Sequence, residues 1–289
     1  MKPPPFDYLA PTTVAEVTSA LAEHGDDAKV LAGGQSLVPV LAMRLARPEV
    51  IVDVNRVADL DRVHREDGTL LVGATTRHVT LERDPDIAAA VPLLARTAPH
   101  IGHFQIRNRG TLGGSLAHAD SAAEWPAVAL ALDAEIEVAS TSGSRRIPAA
   151  EFFVSTFMTA LGAEDLLVGV RFPVWGAGSG FAVEELARRS GDFAIAGVVA
   201  AVQRNGDRIE RAAVALLGMG PVPIRLHPLE QELVGSPTAS TDLDAVARDA
   251  VAGLDPPDDV HASGGYRRRV AAVLVARALA RALQEAEGA

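Results

Sequence analysis

Two stretches with adjacent glycines are the residues in this sequence whose types and spacing most clearly suggest chemistry. "AGGQS" occupies 32–36 and "TLGGS" occupies 111–115. Glycine reaches positive φ angles and lets a backbone approach a ligand without a Cβ atom in between. Consecutive amide N–H groups in such a turn form a concavity that binds anions, and the hydroxyls of Ser36, Thr111 and Ser115 would add donors. The pattern predicts two turns whose main-chain amides converge on one anionic group, such as a diphosphate.

A tight structural turn remains the alternative for either stretch taken alone. The usual dinucleotide fingerprint, G-x-G-x-x-G, is absent, since "GAGSGF" at 176–181 has Phe181 in place of the last glycine. The sequence contains no G-x-x-x-x-G-K-S/T loop, and neither Ser36 nor Ser115 stands in a G-x-S-x-G elbow. A dinucleotide bound by this chain would therefore use another architecture.

Local patterns predict the elements that carry the two turns. Thr12 or Thr13 caps a first helix, and a strand leads into the turn at 32–36. A short helix stopped by Pro48 and a second strand follow. Further along, 86–103 reads as one helical run despite Pro92, and "RRIPAAEFF" reads as a strand.

The C-terminal part reads as a hairpin followed by helices. Asn205-Gly206 is the predicted hairpin turn, and the chain is helical from Pro228 onwards. In the longest helix, the charges near Tyr266 are expected to face solvent, with an inter-subunit contact as the alternative. These patterns predict four segments: 1–55, 56–173, a linker at 174–180, and 181–289.

Composition argues against several functions. A formal net charge of -10 does not suit a nucleic-acid binder. The absence of cysteine excludes disulfides, thiolate nucleophiles and an iron–sulfur cluster held by this chain. No apolar stretch approaches the ~18 residues of a membrane span, and no signal peptide is apparent, so we expect a cytoplasmic protein. His100, His103 and His118 lack the context of a metal-ligand motif, and we predict no metal site.

Three motifs, in order, carry a resemblance to a known family. They are "AGGQSLVPVLAMRLARPEVIVDVN", "IGHFQIRNRGTLGGSLAHADSAAEWPAVALAL" and "RRSGDFAIAG". Together they resemble the FAD-binding medium subunit of molybdenum hydroxylases, and within it the aerobic carbon monoxide dehydrogenase branch. Xanthine dehydrogenase carries the related domain in a longer chain. The resemblance covers nearly the whole length.

The resemblance implies an α+β fold. Two N-terminal FAD-binding subdomains of the vanillyl-alcohol-oxidase (PCMH) type would be followed by a C-terminal α/β domain with a small antiparallel sheet and a helical bundle. The residues that it assigns to FAD, carried over by motif, are Lys29, Ala32, Gly33, Gly34, Gln35, Ser36, Leu37, Thr111, Gly113, Gly114, Ser115, Asp120, Glu124, Leu166, Leu167, Asp192 and Phe193. At Glu124 relatives often have Asp, and at Phe193 they often have Tyr.

The resemblance also implies a function and partners. Electrons would pass from 2Fe–2S clusters on a small subunit to non-covalent FAD on this chain, and then to an external acceptor. The substrate would be oxidised at a molybdenum cofactor on a large subunit, usually in a dimer of heterotrimers, and no catalytic residue is expected here. Two alternatives remain, a stand-alone flavin enzyme of the same fold and a scaffold that has lost FAD.

Overall fold

A three-stranded parallel sheet, in the order β1–β3–β2, forms the start of the chain. The computed structural model describes residues 2–238 and 241–288. Its first elements are β1 (Asp7–Leu9), α1 (Val14–His24), β2 (Ala28–Leu31), α2 (Leu37–Ala42) and β3 (Val50–Asp53). Thr13 caps α1 in a capping box with Glu16, which satisfies free amides of the first turn. The prediction that Pro48 stops α2 is wrong, because α2 ends at Ala42 and Arg44 adopts a φ of 61°.

A five-stranded antiparallel sheet follows, in the order β4–β5–β10–β6–β7. Its strands are β4 (Val63–Glu66), β5 (Thr69–Gly73), β6 (Glu135–Ser140), β7 (Gly143–Pro148) and β10 (Leu166–Pro173). A small hairpin, β8 (Phe153–Ser155) and β9 (Met158–Thr159), lies between β7 and β10 in the chain. The helices of this part are α3 (His78–Arg83), α4 (Pro85–Ala90), α5 (Pro92–Thr97), α6 (Phe104–Arg107), α7 (Leu112–His118), α8 (Glu124–Ala131) and α9 (Ala149–Phe152).

Two predictions about this part are wrong. The run over 86–103 is not one helix, because Val91, with φ -138° and ψ 78°, separates α4 from α5. Pro92 has no amide hydrogen to donate, and it begins α5 at a position where none is needed. The strand predicted over 145–153 ends at Pro148, and α9 takes the next four residues.

The C-terminal part contains a four-stranded sheet covered by a long helix. Its elements are β11 (Ser179–Ala187), β12 (Ala194–Asn205), β13 (Arg208–Leu217), β14 (Ile224–Arg225), α10 (His227–Leu233), α11 (Leu243–Ala252) and α12 (Gly264–Gly288). The hairpin turn lies one residue later than predicted. Asn205 pairs with Arg208, so Gly206, with φ 65°, and Asp207 form the turn.

Helix α12 packs closely against β11. A Cβ atom on Gly180 would meet the carbonyl oxygen of Ala282 and lie 2.6 Å from the amide nitrogen of Ala286, so only glycine fits there. The expectation that the charges near Tyr266 all face solvent is wrong for Arg267. Its guanidinium is buried and donates to the carbonyl oxygens of Ile195 and Gly218 and to Asp259.

The segment 174–180 packs against the sheets on both sides of it. Trp175 is buried, the Arg211 guanidinium lies 4.0 Å from the centre of its ring, and β11 already begins at Ser179. The division into four segments stays a prediction. In the described ranges, no helix has both the length and the apolar character needed to cross a bilayer.

Candidate functional site

The two glycine turns predicted from the sequence touch each other. A Cβ atom on Gly33 would collide with the carbonyl oxygen of Arg109 and lie 2.8 Å from the Cα atom of Gly110. A Cβ atom on Gly114 would lie 3.6 Å from the Cβ atom of Ala32. The turns at 32–36 and 111–115 are therefore adjacent, as expected, and their binding of one shared anionic group stays a prediction.

The first turn presents amides that the protein leaves free. The chain leaves β2 and turns at Gly34, whose φ of 73° favours glycine. The Gln35 side chain donates to the carbonyl oxygen of Gly33 at 3.1 Å. The amides of Gly33, Gly34, Gln35 and Ser36 donate to no acceptor within residues 2–238 and 241–288. A phosphate needs N–H donors at close range, and this row of amides beside small Cα surfaces fits one.

The second turn differs, because its amides are already used. Leu112 donates to the carbonyl oxygen of Thr76 and Gly113 to that of Ala74. Gly114 donates to Oγ1 of Thr111 at 3.1 Å, which caps α7, and Ser115 donates to the carbonyl oxygen of Thr111. The expectation of bare amides is therefore wrong for 112–115, where they hold the turn in place instead.

Glycine is nevertheless required in the second turn. A Cβ atom on Gly113 would lie 2.8 Å from both the Cα atom and the carbonyl oxygen of Ala74. One on Gly114 would lie 2.7 Å from Oγ1 of Thr111 and disturb the cap. The Ser115 hydroxyl is one donor that this turn can still offer, since it bonds to nothing in the part of the chain that the structure describes.

A buried histidine, missed by the sequence analysis, supports the second turn from behind. His78 packs against Gly110, and its amide donates to the Gly110 carbonyl oxygen at 3.0 Å. Its Nδ1 accepts a hydrogen bond from Nε1 of Trp125 at 3.0 Å. Burial, followed by the charges of Arg77 and Arg107, lowers the pKa of His78 to about 3. The ring is therefore neutral, with its proton on Nε2.

Three arginines near the second turn have different roles. Arg107 forms an ion pair with Glu82 at 2.7 Å, so its charge is compensated. Arg77 and Arg109 form no ion pair with any carboxylate in the described ranges. Burial, and then the charge of Arg109, lower the pKa of the Arg77 guanidinium. Both arginines therefore lie beside the turns without a carboxylate in direct contact, and the charges of Asp61 and Asp53 act on Arg77 from farther away.

Asp120 and Glu124, the two predicted acidic residues after the second turn, have different surroundings. Oδ1 of Asp120 accepts from the amide of Ala122 at 2.9 Å and shapes the turn into α8. Glu124, the first residue of α8, is buried. Burial, and then the charge of Glu185, raise the pKa of Glu124 to about 8. At neutral pH the Glu124 carboxyl therefore holds a proton and can donate as well as accept.

The other predicted positions lie farther along the same elements. Lys29 is exposed on β2. Leu166 and Leu167 begin β10 with buried side chains, and the carbonyl oxygen of the next residue accepts from the amide of Ala74, which touches Gly113. Leu37 begins α2 after the first turn.

The predicted Asp192–Phe193 segment lies in the connection between β11 and β12. The preceding Gly191 packs against the His103 ring, and His103 precedes α6, which leads into the second turn. Phe193 is 71% exposed and Phe104, next to His103, is 62% exposed. The segment therefore contacts the residue that precedes α6, the helix before the second turn, and the aromatic side chains of Phe104 and Phe193 are exposed.

Asn55 and Arg77 were also missed as site residues. The sequence favours a turn or a helix cap for Asp53 and Asn55, and the amide nitrogen of Asn55 does donate to Asp53 at 2.8 Å. It gives no indication that the Asn55 side-chain amide donates to the carbonyl oxygen of Ala32 at 2.8 Å. Arg77 donates to the carbonyl oxygen of Arg109. The one available signal was the polar Asp-x-Asn that begins with the last residue of β3.

Comparison with known proteins assigns both parts of the chain to one family. Residues 4–175 match the FAD binding domain in molybdopterin dehydrogenase. Residues 181–282 match the CO dehydrogenase flavoprotein C-terminal domain.

Full-length relatives agree with this assignment. The chain is 46% identical to the 6-hydroxypseudooxynicotine dehydrogenase complex subunit alpha of Paenarthrobacter nicotinovorans, covering 99% of this chain and 97% of that one. It is 40% identical to the caffeine dehydrogenase subunit beta of a Pseudomonas species, covering 98% and 96%.

A solved structure confirms the predicted fold. A chain of the carbon monoxide dehydrogenase from Hydrogenophaga pseudoflava superposes with a TM-score of 0.95 at 37% identity, covering 98% of this chain and 99% of that one. With both of its parts and its full length matched, this chain belongs to the FAD-binding medium subunits of the molybdenum hydroxylase family.

Proposed function

We propose that the FAD diphosphate lies against the turn at 32–36, where the two glycine turns meet. The observation that carries this proposal is the row of free amides from Gly33 to Ser36, beside a contact so close that Gly33 cannot carry a Cβ atom. In a chain of net charge -10, an anion must be held by local, oriented donors. The Ser115 hydroxyl and the Arg109 charge would supplement them.

The remaining predicted positions would surround the rest of the cofactor. Asp120 and Glu124 would contact the part of FAD that extends beyond the second turn. The exposed faces of Phe104 and Phe193 offer planar apolar surfaces for an isoalloxazine ring. Lys29, Leu166 and Leu167 would lie towards the nucleotide half, the two leucines through their backbone because their side chains are buried.

We further propose that this chain is the electron-transfer subunit of a larger enzyme. When bound, FAD supplies the redox chemistry, and it can receive electrons from one partner and release them to another. This chain has no cysteine with which to bind an iron–sulfur cluster, so 2Fe–2S clusters would lie on a small partner subunit. Relatives are named as subunits of complexes, which supports partners, and a dimer of heterotrimers is the expected assembly.

The substrate would be selected on the large molybdenum-containing subunit. Relatives that match almost the whole chain are named for 6-hydroxypseudooxynicotine, caffeine and carbon monoxide, among others. Because such similar chains accompany such different substrates, we expect the residues that select the substrate to lie on another subunit of each complex. The expected cytoplasmic location stays a prediction.

Flavin binding by matched glycine variants tests the diphosphate assignment. Gly34 and Gly235 both adopt positive φ angles, of 73° and 82°, but a Cβ atom on Gly34 would crowd Val38 and Leu31, whereas one on Gly235 meets nothing within 4 Å. We expect Gly34→Val to lose FAD and Gly235→Val to keep it, measured by quenching of flavin fluorescence on titration. Equal FAD affinity in the two variants would contradict the assignment.

Turnover with and without partners tests the subunit assignment. The FAD-loaded chain alone is expected to show no rapid reduction by candidate substrates, whereas the complex with its partners reduces FAD when the substrate is added. Rapid turnover by the isolated chain would instead support a stand-alone flavin enzyme.

A further inference from the structure

A chain of four polar side chains links the parallel sheet to the place where the glycine turns meet. The Tyr8 hydroxyl donates to Oδ2 of Asp53 at 2.5 Å. Oδ1 of Asp53 accepts from the amide nitrogen of Asn55 at 2.8 Å and from its Nδ2 at 2.5 Å. Oδ1 of Asn55 then accepts from the Arg77 guanidinium at 2.6 Å. We call these four residues the clasp.

The clasp holds one backbone carbonyl from each side of the contact. Nδ2 of Asn55 donates to the carbonyl oxygen of Ala32 at 2.8 Å, immediately before Gly33. The Arg77 guanidinium donates to the carbonyl oxygen of Arg109, the same oxygen that a Cβ atom on Gly33 would meet. A single network of side chains therefore spans both turns.

Holding these carbonyls also determines where neighbouring amides point. In a trans peptide the C=O and the following N–H point in opposite directions. When Asn55 holds the Ala32 oxygen on one side, the N–H of Gly33 is directed to the other, away from the clasp. The same bonds turn two partial negative charges away from the surface that an anion would approach.

Arg77 forms no direct ion pair, and the carboxylates that act on its charge, Asp61 and Asp53 of the clasp, do so without touching it. Its guanidinium is half-buried and bonded to an amide oxygen and a peptide oxygen, with no carboxylate of the described ranges in direct contact. A positive group in partly desolvated surroundings is stabilised by a nearby anion. A diphosphate bound where the turns meet would be a further anion of this kind, in addition to Asp61 and Asp53.

We propose that the clasp is a positioning device for FAD, in which Asn55 and Arg77 hold the two glycine turns at the separation and orientation that receive the diphosphate. This inference rests on the proposed function, since it assumes that the diphosphate lies at 32–36. Neither residue needs to touch FAD, because both act through the carbonyls of Ala32 and Arg109.

FAD titration of clasp variants of the full-length chain tests the proposal. We expect Asn55→Ala and Arg77→Gln each to weaken FAD binding by roughly tenfold or more, as expected for loss of about 1.4 kcal/mol from such a network. Arg77→Lys keeps the charge but cannot hold both oxygens in the same way, so it is expected to restore binding only in part. Arg65→Gln is the matched control, because Arg65 is exposed on β4 and forms no ion pair in the described ranges.

A double-mutant cycle separates positioning from general damage to the fold. Because both residues belong to one network, the double variant Asn55→Ala/Arg77→Gln is expected to bind FAD about as weakly as the weaker single variant. Thermal unfolding of the FAD-free variants measures the structural effect separately. A loss of FAD affinity that only follows the loss of thermal stability, or full restoration by Arg77→Lys, would overturn the positioning role.

The outcomes also distinguish this proposal from the one on which it rests. If Asn55→Ala and Arg77→Gln bind FAD like the unmodified chain while Gly34→Val does not, the clasp is refuted and the diphosphate site stands. If Gly34→Val binds FAD normally, the diphosphate site is refuted, and the clasp with it.

Discussion

The close contact of Gly33 with the backbone before the second turn makes Gly33 the residue whose substitution should affect FAD binding most directly. Its Cβ position is filled by backbone atoms of Arg109 and Gly110, which cannot rotate aside as a side chain would. We therefore expect Gly33→Ala to force the turns apart and to lower FAD affinity by at least tenfold, measured by flavin titration. Gly253→Ala is the control, because a Cβ atom there meets nothing within 4 Å and the φ is -86°. Normal FAD binding by Gly33→Ala would mean that the turns can separate freely.

The hydrogen bond between His78 and Trp125 predicts a stability effect. His78→Ala would leave the buried Trp125 N–H without its acceptor and open a cavity beside Gly110. We expect a loss of roughly 2–4 kcal/mol in the free energy of unfolding, measured with urea. Because Trp125→Phe already removes the donor, His78→Ala should cost less in that background. Equal losses in both backgrounds would show that the hydrogen bond contributes nothing.

At the residue scale, the sequence predicted the glycines better than their supports. Adjacent glycines followed by a hydroxyl residue form a local signal, and the structure brings both turns together. Asn55 and Arg77 are 22 residues apart, and their contact depends on how β3 and the start of α3 pack. No local pattern encodes such a distance, so these two side chains were not predicted.

At the scale of elements, the start of α8 and strand β11 bring two buried carboxyls into one environment. The Glu185 side chain is 6% exposed, and its Oε2 lies 3.8 Å from Nδ1 of His100, too far for a hydrogen bond. Burial raises the pKa of Glu185 to about 7, and burial with the Glu185 charge raises that of Glu124 to about 8. Both groups hold protons that the unfolded chain releases near pH 4.5.

These raised pKa values predict a contribution to stability that falls as pH rises from about 5 to 8. In that window the two carboxyls hold more protons in the folded state than in the unfolded state, so their contribution to the free energy of unfolding decreases, by an amount on the order of 2–5 kcal/mol. The lowered pKa values of His78, His100 and His118 act in the opposite direction below about pH 6.5, so the two carboxyls are isolated by comparing variants. Glu185→Gln should flatten the dependence, with a gain at pH 8 and little change at pH 5, measured by urea unfolding of the FAD-free chain. Glu151→Gln, at an exposed position on α9, is the control. An unchanged slope in Glu185→Gln would contradict this account.

Element boundaries were predicted less well than element types, for identifiable reasons. The break at Val91 lies inside an apolar run whose period continues through α4 and α5. Helix α2 ends shortly before Arg44, which has a positive φ. Unlike glycine, arginine gives no sequence signal of a positive φ, so this end was not predicted. Conversely, the hairpin of β12 and β13 was predicted to within one residue, because a short Gly-containing turn between apolar runs is a strong local signal.

At the scale of the whole molecule, the four-stranded sheet is buried on both faces. One face of β12 and β13, with Val199, Ala201, Ala213 and Ala215, belongs to the core that also contains Trp125. The opposite face packs against α12 in a second core. Burial on both faces explains why the apolar runs in these strands are continuous. A strand with one exposed face would instead alternate apolar and polar residues. The sequence patterns did not reveal that both faces are buried. The first face is covered by α8 and by residues that precede 174–180 in the chain.

The shared core predicts that the two family-matched parts do not fold independently. A fragment beginning at Ala177 would keep α12 on its sheet but expose the opposite face, from which Val199 and Leu217 project. An exposed apolar face of that extent favours aggregation or loose packing. We expect the fragment to bind a hydrophobic dye and to lack a cooperative thermal transition.

The full-length chain is expected to unfold as one unit for the same reason. Trp125 and Trp175 both report on the core that crosses 174–180, whereas circular dichroism also reports on the 25-residue helix α12 in the other core. If the two cores are coupled through the sheet, fluorescence and circular dichroism give coincident urea transitions. The ion pair of Arg96 on α5 with Glu285 on α12 adds a direct link between the parts. Two transitions separated along the urea axis would show that the sheet does not couple the cores, and that the matched parts 4–175 and 181–282 unfold separately.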